Sequence, residues 1–197
     1  MKNKNLKIFF SLSLIFAIFI AVYVIKNIFS KEENSALQEI NIKGEDYFKE
    51  NDFEKAISCW EKVLEANPQN LEIYQKIGVA YVRNNQIVEA IDIYEKGLKL
   101  DDKNSDLYYA LAFSQFLRND YFSSLKNLDK ALYFNEHYPE AHYLKGLIYE
   151  KKGLDNLAYK EFVAEINMNP SCVSAWRKIK NLADPQAGTP ENLVSRE

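Results

Sequence analysis

The chain has 197 residues, of which 47% are hydrophobic, six are glycine and five are proline, a composition that favours helices over a turn-rich β fold. Residues 1–31 contain five lysines and no acid, whereas residues 32–197 contain 20 Lys and Arg against 28 Asp and Glu. The acidic balance of this larger part argues against a nucleic-acid partner, because phosphate contacts need a basic surface.

A short basic tail, residues 1–7, is followed by an apolar segment. Residues 8–25 carry no charge, and the apolar character continues to residue 29. A helix of about 20 apolar residues can cross the hydrocarbon core of a bilayer. The sequence therefore predicts a transmembrane signal anchor over residues 8–29. A cleaved signal peptide is the alternative, but the run is long for one and a small-x-small cleavage site is lacking, since Phe19 precedes Ala21.

The lysines around this segment predict its orientation. Lys2, Lys4 and Lys7 precede it, and the positive-inside bias then favours a cytoplasmic N-terminus with the rest of the chain on the extracytoplasmic side. The sequence thus predicts a single-pass membrane protein. Residues 30–36 are predicted to be a polar linker.

From residue 37 onward, the same residue types return at a spacing of 34 residues. One such column holds Gly44, Gly78, Ala112 and Gly146. The other columns are Tyr47, Tyr81, Gln115 and Tyr149; Ala56, Ala90, Ser124 and Ala158; and Trp60, Tyr94, Leu128 and Phe162. Polar breaks divide each period into two helices of about 12–14 residues, which need stacking to be stable.

The periodicity defines the predicted domain organisation. A helical-repeat domain covers residues 37–183, with repeats at 37–70, 71–104, 105–138 and 139–172 and a capping helix at 173–183. The last 14 residues, 184–197, contain two Pro and one Gly and show no periodicity. They are predicted to be a disordered tail.

The repeat resembles the tetratricopeptide repeat (TPR), whose pattern is W-x2-L-G-x2-Y, then A-x3-F, then P. Repeat two follows this pattern with Ile77, Gly78 and Tyr81 and then with Ala90 and Tyr94, whereas repeat three departs from it most. The resemblance implies an all-α fold: a right-handed α-solenoid of four helix-turn-helix repeats and the capping helix, here preceded by one transmembrane helix. It also implies protein binding.

TPR arrays bind peptides or helices on a concave face formed by the first helix of each repeat. Helical-wheel arithmetic places repeat positions 2, 5, 9 and 12 on this face. The candidate partner-binding residues are Asn41, Glu45, Gln75, Val79, Val82, Tyr109, Phe113, Phe116, Tyr143, Leu147 and Glu150. Three interpretations of their apolar members stay open: a groove for an apolar segment or amphipathic helix, additional core, or a self-association surface.

Other kinds of site are not predicted. Cys59 and Cys172 lie far apart in a solenoid, and no Cys/His spacing suggests a disulfide, a metal site or another cofactor. The sequence has no nucleophile–base spacing and no Gly-rich phosphate loop, so an enzyme is not predicted. Position 5 of the four repeats holds no Lys, which argues against a TPR clamp for a peptide's C-terminal carboxylate.

The predicted function is that of a membrane-anchored scaffold or adaptor, which binds a peptide or helix of another protein in the concave groove during assembly or chaperoning of envelope proteins. The alternative is a structural protein that forms homo-oligomers through the same groove.

Overall fold

The computed structural model describes residues 2–183, with the side chains of residue 20, residues 23–28 and residues 30–183. The described residues form nine α-helices and no strand: α1 (Lys2–Lys49), α2 (Phe53–Ala66), α3 (Leu71–Arg83), α4 (Ile87–Leu98), α5 (Ser105–Leu117), α6 (Tyr121–Phe134), α7 (Ala141–Lys151), α8 (Asp155–Met168) and α9 (Val173–Ala183). They belong to two compact units, Met1–Ala66 and Asn67–Glu197. The predicted disordered tail, residues 184–197, lies outside the described residues.

In the first unit, the end of α1 packs against α2. Trp60 of α2 is buried and lies against Gly44 of α1, where a Cβ atom would come within 2.6 Å of the indole Nε1. Phe48 adds to the same contact, with ring centroids 5.9 Å from Trp60 and 5.4 Å from Phe53. Glycine at position 44 therefore makes room for the largest side chain of this hairpin.

The N-terminal helix corrects two predictions. Residues 30–36, predicted to be a linker, are helical and continue α1 without a break. Over the part of the chain that the structure describes, no helix is sufficiently long and apolar to span a membrane. The prediction of a single-pass membrane protein with a cytoplasmic N-terminus is therefore wrong. A span needs about 20 consecutive apolar residues, whereas the described side chains of α1 within 8–29 are those of residue 20 and residues 23–28, which include Lys26. Most side chains of the predicted anchor, 8–29, and all those of the basic tail, 1–7, lie outside the described residues.

In the second unit, helices α3 to α8 form three hairpins and α9 follows the last one. Three buried clusters join the second helix of one hairpin to the first helix of the next. Ala90 and Tyr94 of α4 pack with Leu107 and Leu111 of α5. The corresponding clusters further along contain Leu128, Ala141, Leu144 and Ile148, and Ala158, Phe162, Ile166 and Ala175. The core is thus built by stacking of neighbouring hairpins.

Every hairpin turns on one residue in the left-handed region. These residues are Asn51, Asn85, Asn119 and Gly153, with φ between 60° and 68°. In the second unit, the amide of the residue after each of them bonds to a carbonyl five positions back, as in the 2.8 Å bond from Gln86 N to Tyr81 O. Asn and Gly are the residue types that tolerate this conformation at a helix end.

Repeat three departs from the common pattern at buried positions, and polar residues at these positions form hydrogen bonds between α5 and α6. Asn127 Nδ2 donates to Gln115 Oε1 at 2.8 Å, and Ser124 Oγ donates to the Ala112 carbonyl at 2.7 Å. All four residues are buried. Each polar substitution, Gln115 on α5 and Ser124 on α6, therefore has a hydrogen-bond partner on the other helix, as buried polar groups require.

Candidate functional site

The structure divides the predicted binding residues between the two units. Asn41 and Glu45 are half-buried on α1 of the first unit. The other nine lie on the first helices of the three hairpins in the second unit: Gln75, Val79 and Val82 on α3, Tyr109, Phe113 and Phe116 on α5, and Tyr143, Leu147 and Glu150 on α7.

Five of these nine residues meet around one cavity of about 440 Å³. We call it the apolar cavity. Val79 and Phe113 are 42% and 36% exposed on its wall. Its lining residues are Gln75, Val79, Val82, Arg83, Tyr94, Asp106, Tyr109, Ala110, Phe113 and Tyr138. Concave sites of this size, with mostly apolar walls and few polar groups, are typical of ligand-binding pockets in proteins.

The remaining four predicted residues make contacts inside the second unit. Phe116 lies beside Tyr121, with ring centroids 6.0 Å apart, and Leu147 packs against two core clusters. Tyr143 packs on Phe162, with centroids 5.6 Å apart. Glu150 Oε2 lies 2.6 Å from Nζ of Lys178 on α9. Phe116, Tyr143 and Leu147 thus pack on core residues, and Glu150 joins α7 to α9.

A pair of stacked tyrosines forms one end of the apolar cavity. The ring centroids of Tyr109 and Tyr138 are 4.9 Å apart, and the Tyr109 hydroxyl donates to Glu140 Oε2 at 3.3 Å. The carboxylate of Asp106 lies near the Tyr138 hydroxyl. Burial raises the pKa of both tyrosines, and the neighbouring carboxylates raise each pKa further. Both hydroxyls therefore stay protonated at neutral pH and act as hydrogen-bond donors.

A second cavity, of about 550 Å³, also lies beside Tyr138. We call it the carboxylate cavity. It is lined by His137, Tyr138, Pro139, Glu165, Asn167, Met168 and Asn169. Tyr138 lines both cavities, so they are neighbours within the second unit.

Glu165 is the unusual residue of the carboxylate cavity, because only 1% of it is exposed. Its Oε2 accepts a 3.2 Å hydrogen bond from the amide of Tyr143 in the first turn of α7. Its Oε1 is buried and has no hydrogen-bond partner among the described residues. A carboxylate buried in this way is costly unless both oxygens are satisfied.

The backbone next to this site is strained. Glu140, the N-cap residue of α7, has φ 64° and ψ −2°, in the left-handed region, and its side chain makes no cap hydrogen bond. Glutamate seldom adopts this conformation, and such outliers concentrate at functional sites.

Sequence reasoning missed Tyr138 and Glu165. Tyr138 lies in the turn before α7, and the helical-wheel arithmetic covered only first helices. Glu165 lies on the second helix of its hairpin, where a single glutamate among many gives no signal. Within the described ranges, no group of three or more His, Cys, Asp or Glu side chains could hold a metal ion.

Two family models match the sequence, one for a TPR repeat over residues 44–85 and one for a tetratricopeptide repeat over residues 71–104. Residues 44–104 thus match tetratricopeptide-repeat models. The described helices form a TPR-like solenoid, a fold that is typically a non-catalytic scaffold. No curated protein sequence matches the chain.

Several solved structures share the fold. The crystal structure of MamA superposes with a TM-score of 0.66 at 26% identity, covering 77% of this chain and 88% of MamA. YrrB, described as a TPR protein with an unusual peptide-binding site, gives 0.59 at 23% identity over 79% of this chain and 80% of YrrB. The first TPR of Spaghetti (RPAP3), bound to the HSP90 peptide SRMEEVD, gives 0.56 at 21% identity over 60% of this chain and 93% of that one.

Proposed function

We propose that this TPR protein is a scaffold or adaptor that binds a peptide or an amphipathic helix of another protein in the apolar cavity. The observation that carries the proposal is the cavity between α3 and α5, whose wall leaves Val79 and Phe113 partly exposed. Apolar side chains exposed together in a concave site favour a bound partner.

The TPR fold supports a protein partner, because TPR proteins generally mediate protein–protein interaction. Two of the similar structures are described in terms of peptide binding: YrrB has a peptide-binding site, and the RPAP3 domain holds an HSP90 peptide. For this chain, the partner segment would place one bulky apolar side chain against Phe113. Burying such a side chain contributes about 1.5–3 kcal/mol.

The proposal is tested by photo-crosslinking in cells. A photoreactive amino acid replaces Val79, and the crosslinked proteins are identified by mass spectrometry. We expect a discrete foreign partner, and we expect Phe113→Ala to remove the crosslink because it removes the wall of the cavity.

Phe122→Ala is the matched control, since Phe122 is 81% exposed on α6 and does not line the cavity. It should leave the crosslink intact. If crosslinks form only between copies of this chain, the adaptor proposal is wrong and the protein forms homo-oligomers through this cavity. If Phe113→Ala lowers the melting temperature as much as a buried-core substitution does, the ring is core and the proposal fails.

A further inference from the structure

The two cavities beside Tyr138 point to the chemistry of the partner. We propose that the bound segment combines a bulky apolar side chain, which fills the apolar cavity, with a cationic side chain, Lys or Arg, which enters the carboxylate cavity and pairs with Glu165. This inference rests on the proposed function and specifies the partner of the same face.

The two cavities lie next to each other. Tyr138 contributes to the wall of both cavities, and its ring stacks on Tyr109 at 4.9 Å between centroids. Two side chains from one short segment can therefore enter the two cavities next to Tyr138. Aromatic rings between an apolar and a charged subsite suit such a segment, because a Lys or Arg stem can pack on a ring while its head reaches the carboxylate.

One carboxylate oxygen of Glu165 lacks a hydrogen-bond partner among the described residues. Glu165 is 1% exposed, and the Tyr143 amide satisfies only Oε2. Oε1 has no hydrogen-bond partner among the described residues. A buried carboxylate oxygen needs a hydrogen-bond donor, and a cationic donor also compensates the charge. An ammonium or guanidinium group supplies both.

The charged groups around the tyrosine pair and the carboxylate cavity also bear on the partner. Glu140 accepts from the Tyr109 hydroxyl and Asp106 lies near the Tyr138 hydroxyl, so two more carboxylates lie at the tyrosine pair. The residues lining the carboxylate cavity include neither Lys nor Arg. His137 is its titratable basic residue, and the imidazole contacts Met168 Sδ through Nδ1 at 3.5 Å and Glu136 through Nε2 at 3.4 Å. Arg83 lines the neighbouring apolar cavity, but within the carboxylate cavity the balance of charge favours a cation and disfavours an acidic segment.

An organic cation fits better than a metal ion. Among the described residues, no three carboxylate, imidazole or thiol side chains come close enough together to ligate one. The Tyr109 hydroxyl already donates to Glu140, and the Tyr138 hydroxyl lies near the carboxylate of Asp106. A partner that brings its own donors would therefore satisfy Glu165 Oε1.

The test uses the full chain and a phage-displayed library of random peptides. Selection on the wild-type chain should enrich peptides that pair an aromatic or large aliphatic residue with a nearby Lys or Arg. One enriched peptide is then synthesised with a fluorescent label, together with an analogue in which norleucine replaces its basic residue. Norleucine keeps the apolar stem and removes the charge.

Fluorescence anisotropy then gives a double-mutant cycle. Glu165→Gln, which keeps an oxygen for the Tyr143 amide, should weaken binding of the basic peptide by at least about tenfold, as expected for loss of a buried charge pair. The norleucine analogue should bind the wild-type chain about as weakly as the basic peptide binds Glu165→Gln. Its affinity for Glu165→Gln should be no lower than its affinity for the wild-type chain. Glu89→Gln, on an exposed glutamate of α4, is the matched control and should leave both affinities unchanged.

The outcomes separate this inference from the proposed function. If enriched peptides lack basic residues, or if the basic peptide and its norleucine analogue bind the wild-type chain equally, the cationic subsite is wrong while the apolar cavity remains a binding site. If selection yields no peptide whose binding depends on Phe113, the proposed function itself fails. The comparison of the two peptides on the wild-type chain decides the question even if Glu165→Gln does not fold.

Discussion

Gly78 allows α3 to pack closely against an aromatic ring of α4. A Cβ atom at Gly78 would overlap the ring of Tyr94 on α4, and one at Gly146 would lie 2.5 Å from Phe162 Cε1. Repeat three has Ala112 at the equivalent position and pairs it with Leu128, both fully buried in one cluster. The small residue on the first helix and the large residue on the second are thus matched in size.

This matching gives the first prediction. Gly78→Ala should lower the free energy of unfolding by about 1–3 kcal/mol, because the methyl group overpacks against the Tyr94 ring. Combining it with Tyr94→Leu copies the pair of repeat three and should recover part of the loss. Urea denaturation of the single and double variants measures the coupling. Strictly additive losses would show that the two positions do not compete for space.

The buried amide pair of repeat three gives the second prediction. Asn127→Ala removes the donor to Gln115 Oε1 and leaves that oxygen buried, which should cost about 1–3 kcal/mol. Replacing both Gln115 and Asn127 by leucine should cost less than the single change, since no polar group is then left unpaired. Thermal unfolding of the single and double variants would contradict this account if the double variant were the less stable one.

At the scale of helices, Lys145 of α7 joins the helices on either side of it. Its Nζ lies 3.0 Å from Asp129 of α6 and 3.2 Å from Glu161 of α8, and His142 Nδ1 lies 2.6 Å from the other oxygen of Glu161. Burial raises the pKa of Glu161, but the hydrogen bond with His142 and the charge of Lys145 outweigh it, so the pKa lies below its ordinary value of 4.5.

This network gives the third prediction, which concerns pH. Because the folded-state pKa of Glu161 is lowered, its stabilisation is complete above pH 4.5 and is lost as the pH falls through the folded-state value. Glu161→Gln should therefore lower the melting temperature at neutral pH, and the difference from wild type should shrink below pH 4.5. Glu89→Gln, on an exposed site of α4, should show no such trend. A difference that stays constant with pH would mean that the Glu161 charge does not stabilise the fold.

The helices were largely predictable, since their periodicity comes from packing. Columns such as Ala56, Ala90 and Ala158 recur because each occupies a fully buried helix contact. The candidate site was predictable only in part. Tyr109 and Phe113 were found from helical spacing, whereas Tyr138 depends on a turn and Glu165 on the second helix of a neighbouring hairpin. Tertiary contacts of this kind leave no local signal in one sequence.

At the scale of the whole molecule, the last helix closes the second unit. Ala175 of α9 is fully buried with Phe162 and Ile166 of α8, while Ser174 beside it is exposed. A stack of hairpins needs such an end, because the last apolar face would otherwise meet water. Lys178 adds a salt bridge from α9 to Glu150 of α7.

This arrangement gives the fourth prediction. Ala175→Asp should destabilise the second unit by at least about 2 kcal/mol, since it both overpacks the contact and buries a carboxylate. Hydrogen exchange should then become faster in α8 and α9. Ser174→Asp adds the same charge to the exposed side of α9 and should have little effect. Equal effects of the two variants would mean that α9 does not seal the core.

The left-handed residue that ends the first helix of each hairpin also constrains how such a gene can change length. Asn85, Asn119 and Gly153 recur at a spacing of 34 residues, in step with the glycine–ring pairs. Recombination that duplicates or deletes 34 codons returns every turn and every pair to its partner. A change of another length within the hairpin α3–α4 or α7–α8 would move Gly78 or Gly146 out of register with its aromatic ring. Unequal crossing-over within this gene should therefore leave folded products in only one class of length.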